Sequence, residues 1–177
     1  MGCFANARRN IMKQITSFVL LVFLSFPIFG QEKLLEVDLR VNGIGSGTPH
    51  SAVIRNLGKP LQRKVTRTTA SLSCSRVAET DVALLYSGLQ VSLLGDGRGR
   101  NLAVYSVEVS SPKWVVSGVR IGTSMEDVEN KFGEPISKAQ ESGETIFHYV
   151  TKGNLGMVNF YFRNDNLVRV VMTETLC

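Results

Sequence analysis

The chain has only two histidines and three cysteines among its 177 residues. That scarcity removes most routes to chemistry. His50 and His148 stand far apart with no carboxylate motif beside either, which makes them poor acid–base or metal-binding candidates. No Cys-x-x-Cys and no Cys/His spacing suggests zinc. The serines of Ser71-Leu72-Ser73-Cys74-Ser75 and Ser110-Ser111 lie outside any G-x-S-x-G turn. Glu126, Asp127 and Glu129 cluster without the Asp/Gly-rich loop that a calcium site needs, and read as a helix-dipole complement. The sequence therefore offers no catalytic residue, no metal site and no cofactor site.

Acidic residues are missing before Glu32, and that gap falls on a recognisable segment. Arg8, Arg9 and Lys13 precede the apolar run Phe18–Leu24, Pro27 breaks any helix before Gly30, and that small residue precedes Gln31. This is the grammar of a removable secretory signal over residues 1–30. The uninterrupted run is too short for a span, which takes about 20 apolar residues. Met12 is an alternative start, and Asn6 breaks the myristoylation pattern that Gly2 would begin. The protein is thus expected to be exported, periplasmic or secreted, with no stable membrane span once the signal is removed.

Loss of those three cations leaves 17 basic against 15 acidic residues, a net charge of +2 in place of +5. The basicity belongs largely to the signal, so nucleic acid is not an expected partner. Residues 31–113 carry +4 and residues 114–177 carry −2, so the two halves could attract each other or face different partners. Cys74 and Cys177 remain, and an even pair in an exported chain reads first as a disulfide.

Two segments align without a gap. Gly47-Thr48-Pro49-His50-Ser51-Ala52-Val53 through Leu57-Gly58-Lys59-Pro60 matches Gly122-Thr123-Ser124-Met125-Glu126-Asp127-Val128 through Phe132-Gly133-Glu134-Pro135. Thr48 and Thr123 are expected as N-caps, with a Thr123/Glu126 capping box and Pro49 at the first helical position. Val53/Leu57 and Val128/Phe132 mark buried stripes. Gly58 and Gly133 suit left-handed stops, and Pro60 and Pro135 forbid continuation. Strands are expected before each helix, at 34–41 and 114–121. After the helices, 82–94 and 102–109 form strands in the first copy, and 145–150, 157–162 and 167–173 in the second. The predicted fold is α+β: two tandem units, 31–113 and 114–177, each a short helix followed by an antiparallel meander in a two-layer sandwich.

The stretch Val119-Arg120-Ile121-Gly122-Thr123, with Phe132-Gly133-Glu134-Pro135 and the strands around Phe147-His148-Tyr149 and Val158–Phe162, resembles the SmpA/OmlA (BamE-like) domain. Two such units in tandem resemble the β-lactamase inhibitor protein superfold. The duplication, together with the missing catalytic groups, points to a non-enzymatic, exported protein-interaction module: two BamE-like or inhibitor-like units serving envelope assembly or inhibitor-like binding through a sheet face. The sequence lacks the lipobox cysteine of the lipoprotein family. The rival readings are a small-molecule or envelope-polymer binder using the cleft between the units, and a hydrolase whose site forms only there.

Two further segments invite an ionic reading. Gly95-Asp96-Gly97-Arg98-Gly99 could cradle an anion, but without phosphate-loop spacing it reads as a hairpin loop. The basic stretch Lys59–Arg67, with Arg63, Lys64 and Arg67 among threonines, reads as a solvated edge strand. The candidate partner surface follows from register. A three-residue loop Asn164-Asp165-Asn166 would set Phe162 opposite Val168 and Phe160 opposite Val170. The opposite face then carries Tyr161 across from Arg169, with Asn159 and His148 alongside.

Overall fold

The computed structural model describes residues 36–68, 78–153 and 156–174, all within one compact unit. The expected signal segment, residues 1–30, and the expected Cys74–Cys177 disulfide lie outside these residues. Within them, the chain is α+β, a large and mostly antiparallel sheet with two short helices.

Helices α1 (His50–Leu57) and α2 (Met125–Phe132) fall in the two matching segments. Each begins one residue later than the threonines imply, because those hydroxyls are already engaged. Thr48 Oγ1 accepts from Gly45 N–H and Thr123 Oγ1 from Arg120 N–H, both at 3.1 Å, tying down the turn before the helix. The N-caps are therefore Pro49, which makes no side-chain cap, and Ser124. Ser124 Oγ accepts from Asp127 N–H at 3.1 Å and donates to the Asp127 carboxylate at 2.7 Å, displacing the expected Thr123/Glu126 box. Both helices stop at glycine, with φ of 79° at Gly58 and 80° at Gly133. Their ψ values, −165° and −173°, lie in an extended region that only glycine visits, not in the left-handed helical one.

The strands are β1 (Glu36–Val37), β2 (Gln62–Thr68), β3 (Glu79–Tyr86), β4 (Leu89–Asp96), β5 (Ala103–Val109), β6 (Ser137–Glu141), β7 (Glu144–Thr151), β8 (Gly156–Arg163) and β9 (Asn166–Glu174). Their order is β1-β7-β8-β9-β5-β4-β3-β2, with β6 also on the outer side of β7. The two meanders meet where β5 pairs antiparallel with β9. Only β1 runs parallel to its neighbour, β7.

Four sequence expectations change. Of the strand expected at 34–41, the described residues form strand only at β1, and 114–121 is not a strand. Asn42-Gly43 and Ser117-Gly118 take positive φ (49° and 80°, 44° and 90°), turning the chain so that Val41 bridges Ile44 and Val116 bridges Val119. These two turns then pair with each other through Val41 and Val116. The run 82–94 divides into β3 and β4 around Ser87-Gly88. The loop after β8 is a two-residue turn: Asn164 and Asp165 both have positive φ (49° and 62°), as that hairpin requires. Phe162 consequently faces Leu167, not Val168, and a bulge restores the predicted Phe160–Val170 and Tyr161–Arg169 pairs.

Both helices cover one face of the sheet. Fully buried Val53 and Val128 join Val82, Leu84, Val158 and Phe160 in a single hydrophobic cluster. Phe132 meets Phe160 and Tyr149 at ring-centroid distances of 5.1 and 6.1 Å, which clamps α2 onto β7 and β8.

Candidate functional site

Alternation along each strand sends one set of side chains under the helices and the other to the opposite, open face. On β8, Phe160 and Phe162 go inward, while Asn159, Tyr161 and Arg163 go outward. The four sequence-predicted residues come together there. Tyr161 lies directly across from Arg169, whose guanidinium stacks 3.8 Å from the ring centroid. His148 lies across from Asn159, and its Nδ1 is 2.8 Å from the amide Oδ1, so an Nδ1–H donates to that oxygen.

The structure adds a residue that sequence reasoning missed. Glu144 accepts from Arg163 at 2.7 Å and lies 3.7 Å from the Arg169 guanidinium. Glu144 is only 16% exposed, so this acid fixes the cation that covers Tyr161. Its role emerges only from the β7–β8 register. Val171 and Glu108 continue the His148–Asn159 row onto β9 and β5, and exposed Met157 lies nearby on β8. The result is a held aromatic–guanidinium pair beside an imidazole–amide pair. It can bind, but it presents no nucleophile with an adjacent base.

The same face of the first meander carries Asp81, Tyr105 and Ser92. Burial raises the Asp81 carboxyl above its ordinary 3.8, against a hydrogen bond from Tyr105 that lowers it. Burial and the neighbouring Asp81 raise the Tyr105 hydroxyl as well. Asp81 Oδ1 has no hydrogen-bond partner among the described residues. A carboxyl raised on folding binds more protons in the native chain than in the unfolded one. Its destabilising effect is thus absent below 3.8 and grows as pH rises through the elevated value. Asp81→Asn is expected to raise Tm at neutral pH, with the gain vanishing below pH 3.8; thermal melts across that range check it.

The Gly95–Gly99 segment is a hairpin loop that fills its own anion position. The Asp96 carboxylate accepts from Arg98 N–H (3.0 Å), Arg100 N–H (2.8 Å) and Arg100 Nε (3.1 Å). These bonds, the Arg100 backbone one foremost, hold its pKa below the usual range. On the helix side, a cleft of about 170 Å³ is lined by Asp38, Arg40, Ser46, Thr151, Lys152 and Glu174 among others. Ser46 Oγ donates to the Glu174 carboxylate there. His50 is placed at the start of α1, remote from His148 in sequence, and its backbone N–H donates to Leu102 O at 3.0 Å. Among the described residues no group of three His, Cys, Asp or Glu could hold a metal, and no helix is long and apolar enough to cross a membrane.

No family model matches the chain, so the BamE-like resemblance rests on the residues 119–135 motif and its following strands alone. No curated protein matches it either. Three solved structures are similar over 72% of this chain. One is an extracellular protein containing an SCP domain from Bacillus anthracis, 14% identical with a TM-score of 0.45; the match spans 43% of that protein, less than half its length. Another is a DUF4309 family protein from Bacillus subtilis, 11% identical over 78% of its length with a TM-score of 0.39. The third, from Streptococcus mutans, is provisionally described as a β-lactamase inhibitor protein; it is 15% identical over 83% of its length with a TM-score of 0.29.

Proposed function

We propose that this chain is an exported, non-enzymatic interaction module whose open sheet face binds another envelope or secreted protein at Tyr161, Arg169, Asn159 and His148. The observation that carries this reading is the Arg169 guanidinium held over Tyr161 beside half-buried Glu144. Tyrosine and arginine are enriched at the energetic centres of interfaces, and a pair already ordered loses less entropy on binding.

The module is read as two copies of one unit, 31–113 and 114–177, behind a signal peptide at 1–30. Recurring hydrogen bonds support that reading. Gly47 and Gly122 N–H donate to Val104 and Leu167 O, each at 2.8 Å, and His50 and Met125 N–H to Leu102 and Asp165 O. Tyr86 and Tyr149 hydroxyls donate to the carbonyls of the helix-stop residues Gly58 and Gly133, at 3.2 and 2.8 Å. At the matching positions five residues before these tyrosines stand the acids Asp81 and Glu144. A second reading, a small polar ligand in the helix-side cleft, draws on Thr151, a buried residue beside that cleft whose Oγ1 has no hydrogen-bond partner among the described residues.

Envelope proteins captured by the mature chain test the first reading. Tyr161→Ala and Arg169→Ala are each expected to weaken capture by roughly 30-fold or more, the scale of a residue central to an interface. Folding stability should fall by only about 1 kcal/mol or less, the value of a cross-strand pair. Glu144 keeps Arg163 in the second variant, so no acid is left unpaired. Undiminished capture by both folded variants would sink the site.

A further inference from the structure

Among the described residues, strand β2 ends the sheet and pairs only with β3. Its seven residues therefore present a row of backbone N–H and C=O groups on their outer side. The side chains from Leu61 to Arg67 are all exposed, including two large aliphatic ones, Leu61 at 79% and Val65 at 45%. Arg63, Val65 and Arg67 stand opposite Leu84, Val82 and Thr80, so the three share one face, with Val65 between the guanidinia. Lys64 projects from the other face. None of these three cations makes an ion pair among the described residues. Strand β6 on the other side of the sheet differs: Lys138 is 3.1 Å from Glu129 and lies over the Phe147 ring.

This edge is built against its own kind. Antiparallel pairing of two β2 strands about Val65 would set Arg63 of one copy against Arg67 of the other, twice over. In-register parallel pairing would stack each arginine on itself. Like charges directly opposite destabilise a ladder, so both of these pairings of two copies are disfavoured. A strand of the opposite charge is not. We propose that β2 is a strand-addition edge for an extended acidic segment of another protein, one in which two carboxylates four residues apart flank an aliphatic residue. Added antiparallel, such a segment completes the free backbone row, sets a carboxylate opposite each of Arg63 and Arg67, and lays its aliphatic side chain against Val65. The surface is separate from the Tyr161 face, and either can stand without the other.

The probe is a labelled peptide containing Glu-Thr-Val-Thr-Glu, titrated into the full mature chain by fluorescence anisotropy. Saturable binding is expected, weakening with added salt. It should fall at least about tenfold for the double variant Arg63→Glu/Arg67→Glu, since two favourable pairs become two unfavourable ones. Backbone N-methylation of alternate peptide residues should abolish it, because that blocks a ladder while leaving every charge in place. Melting temperature establishes that the double variant folds, and the single variants Arg63→Gln and Arg67→Gln, each with an intermediate loss, serve if it does not. Equal binding of the N-methylated or a scrambled Glu-Glu-Thr-Thr-Val peptide would overturn strand addition in favour of plain charge attraction. No binding of the parent peptide, or a preference for vesicles of anionic phospholipid, would overturn the proposal outright.

Discussion

Phe160→Ala is expected to destabilise the chain by about 3–5 kcal/mol, the usual cost of emptying a buried phenylalanine site. Phe160 is fully buried and touches both the helix and the neighbouring strand, with Phe132 at 5.1 Å and Tyr149 at 5.5 Å. Its loss opens a cavity beneath α2 where three rings converge, and rings packed on three sides have little room to collapse. Against a typical total of about 5–15 kcal/mol, this one change would leave a large unfolded fraction in a chain of ordinary stability. Chemical denaturation of the mature protein measures it. Tyr161→Ala, one residue along and facing the other way, should cost far less. If the two variants ranked in the reverse order, β8 would be inside out, since a one-residue slip exchanges its faces.

The second large effect concerns a backbone position. Gly58→Ala is expected to cost about 1–3 kcal/mol through strain alone. A methyl group there would meet nothing within 4 Å, so no clash contributes. The conformation, φ 79° and ψ −165°, is the source. Gly58→Asn sharpens the test. Asparagine tolerates a left-handed helical stop, so it would recover stability if the glycine were such a stop. In the observed region it should cost as much as alanine. Thermal melts of the two variants decide between the conformations, and a full rescue by asparagine would contradict the one described.

The helix boundaries were close to legible because their signals are local. Gly58-Lys59-Pro60 and Gly133-Glu134-Pro135 each stop a helix within three residues, whatever surrounds them. The start was misplaced by one residue because a threonine hydroxyl looks the same whether it caps forward or ties the turn behind. Tyr161 opposite Arg169 was legible for a different reason: only one register buries Phe160 and Val170 together. The turn that delivers it was not. Two positive-φ residues plus a bulge, and a three-residue loop, give the same pairing from Tyr161 downward and differ only at Leu167 and Val168. Strand β6 escaped notice because its five residues hold a single half-buried side chain, so no alternation shows. Glu144 escaped because a lone acid after a turn acquires meaning only when its neighbour strand brings an arginine to it.

The parallel pair β1–β7 has a consequence for the order in which the protein can be assembled. Glu36 lies opposite Val150 and Val37 opposite Thr151, nearly the whole described chain apart. Apart from β5–β9, every other neighbouring pair of strands is consecutive in the chain and can close as soon as its turn is made. Closing a long loop carries an entropic cost that nearby hairpins avoid, and contacts of that kind form slowly. A chain delivered from its N-terminus thus brings out β1 first and seats it late, after β7 has emerged to receive it. Until then this strand, the earliest among the described residues, remains outside the sheet it belongs to, and the last meander to appear supplies the place where it comes to rest.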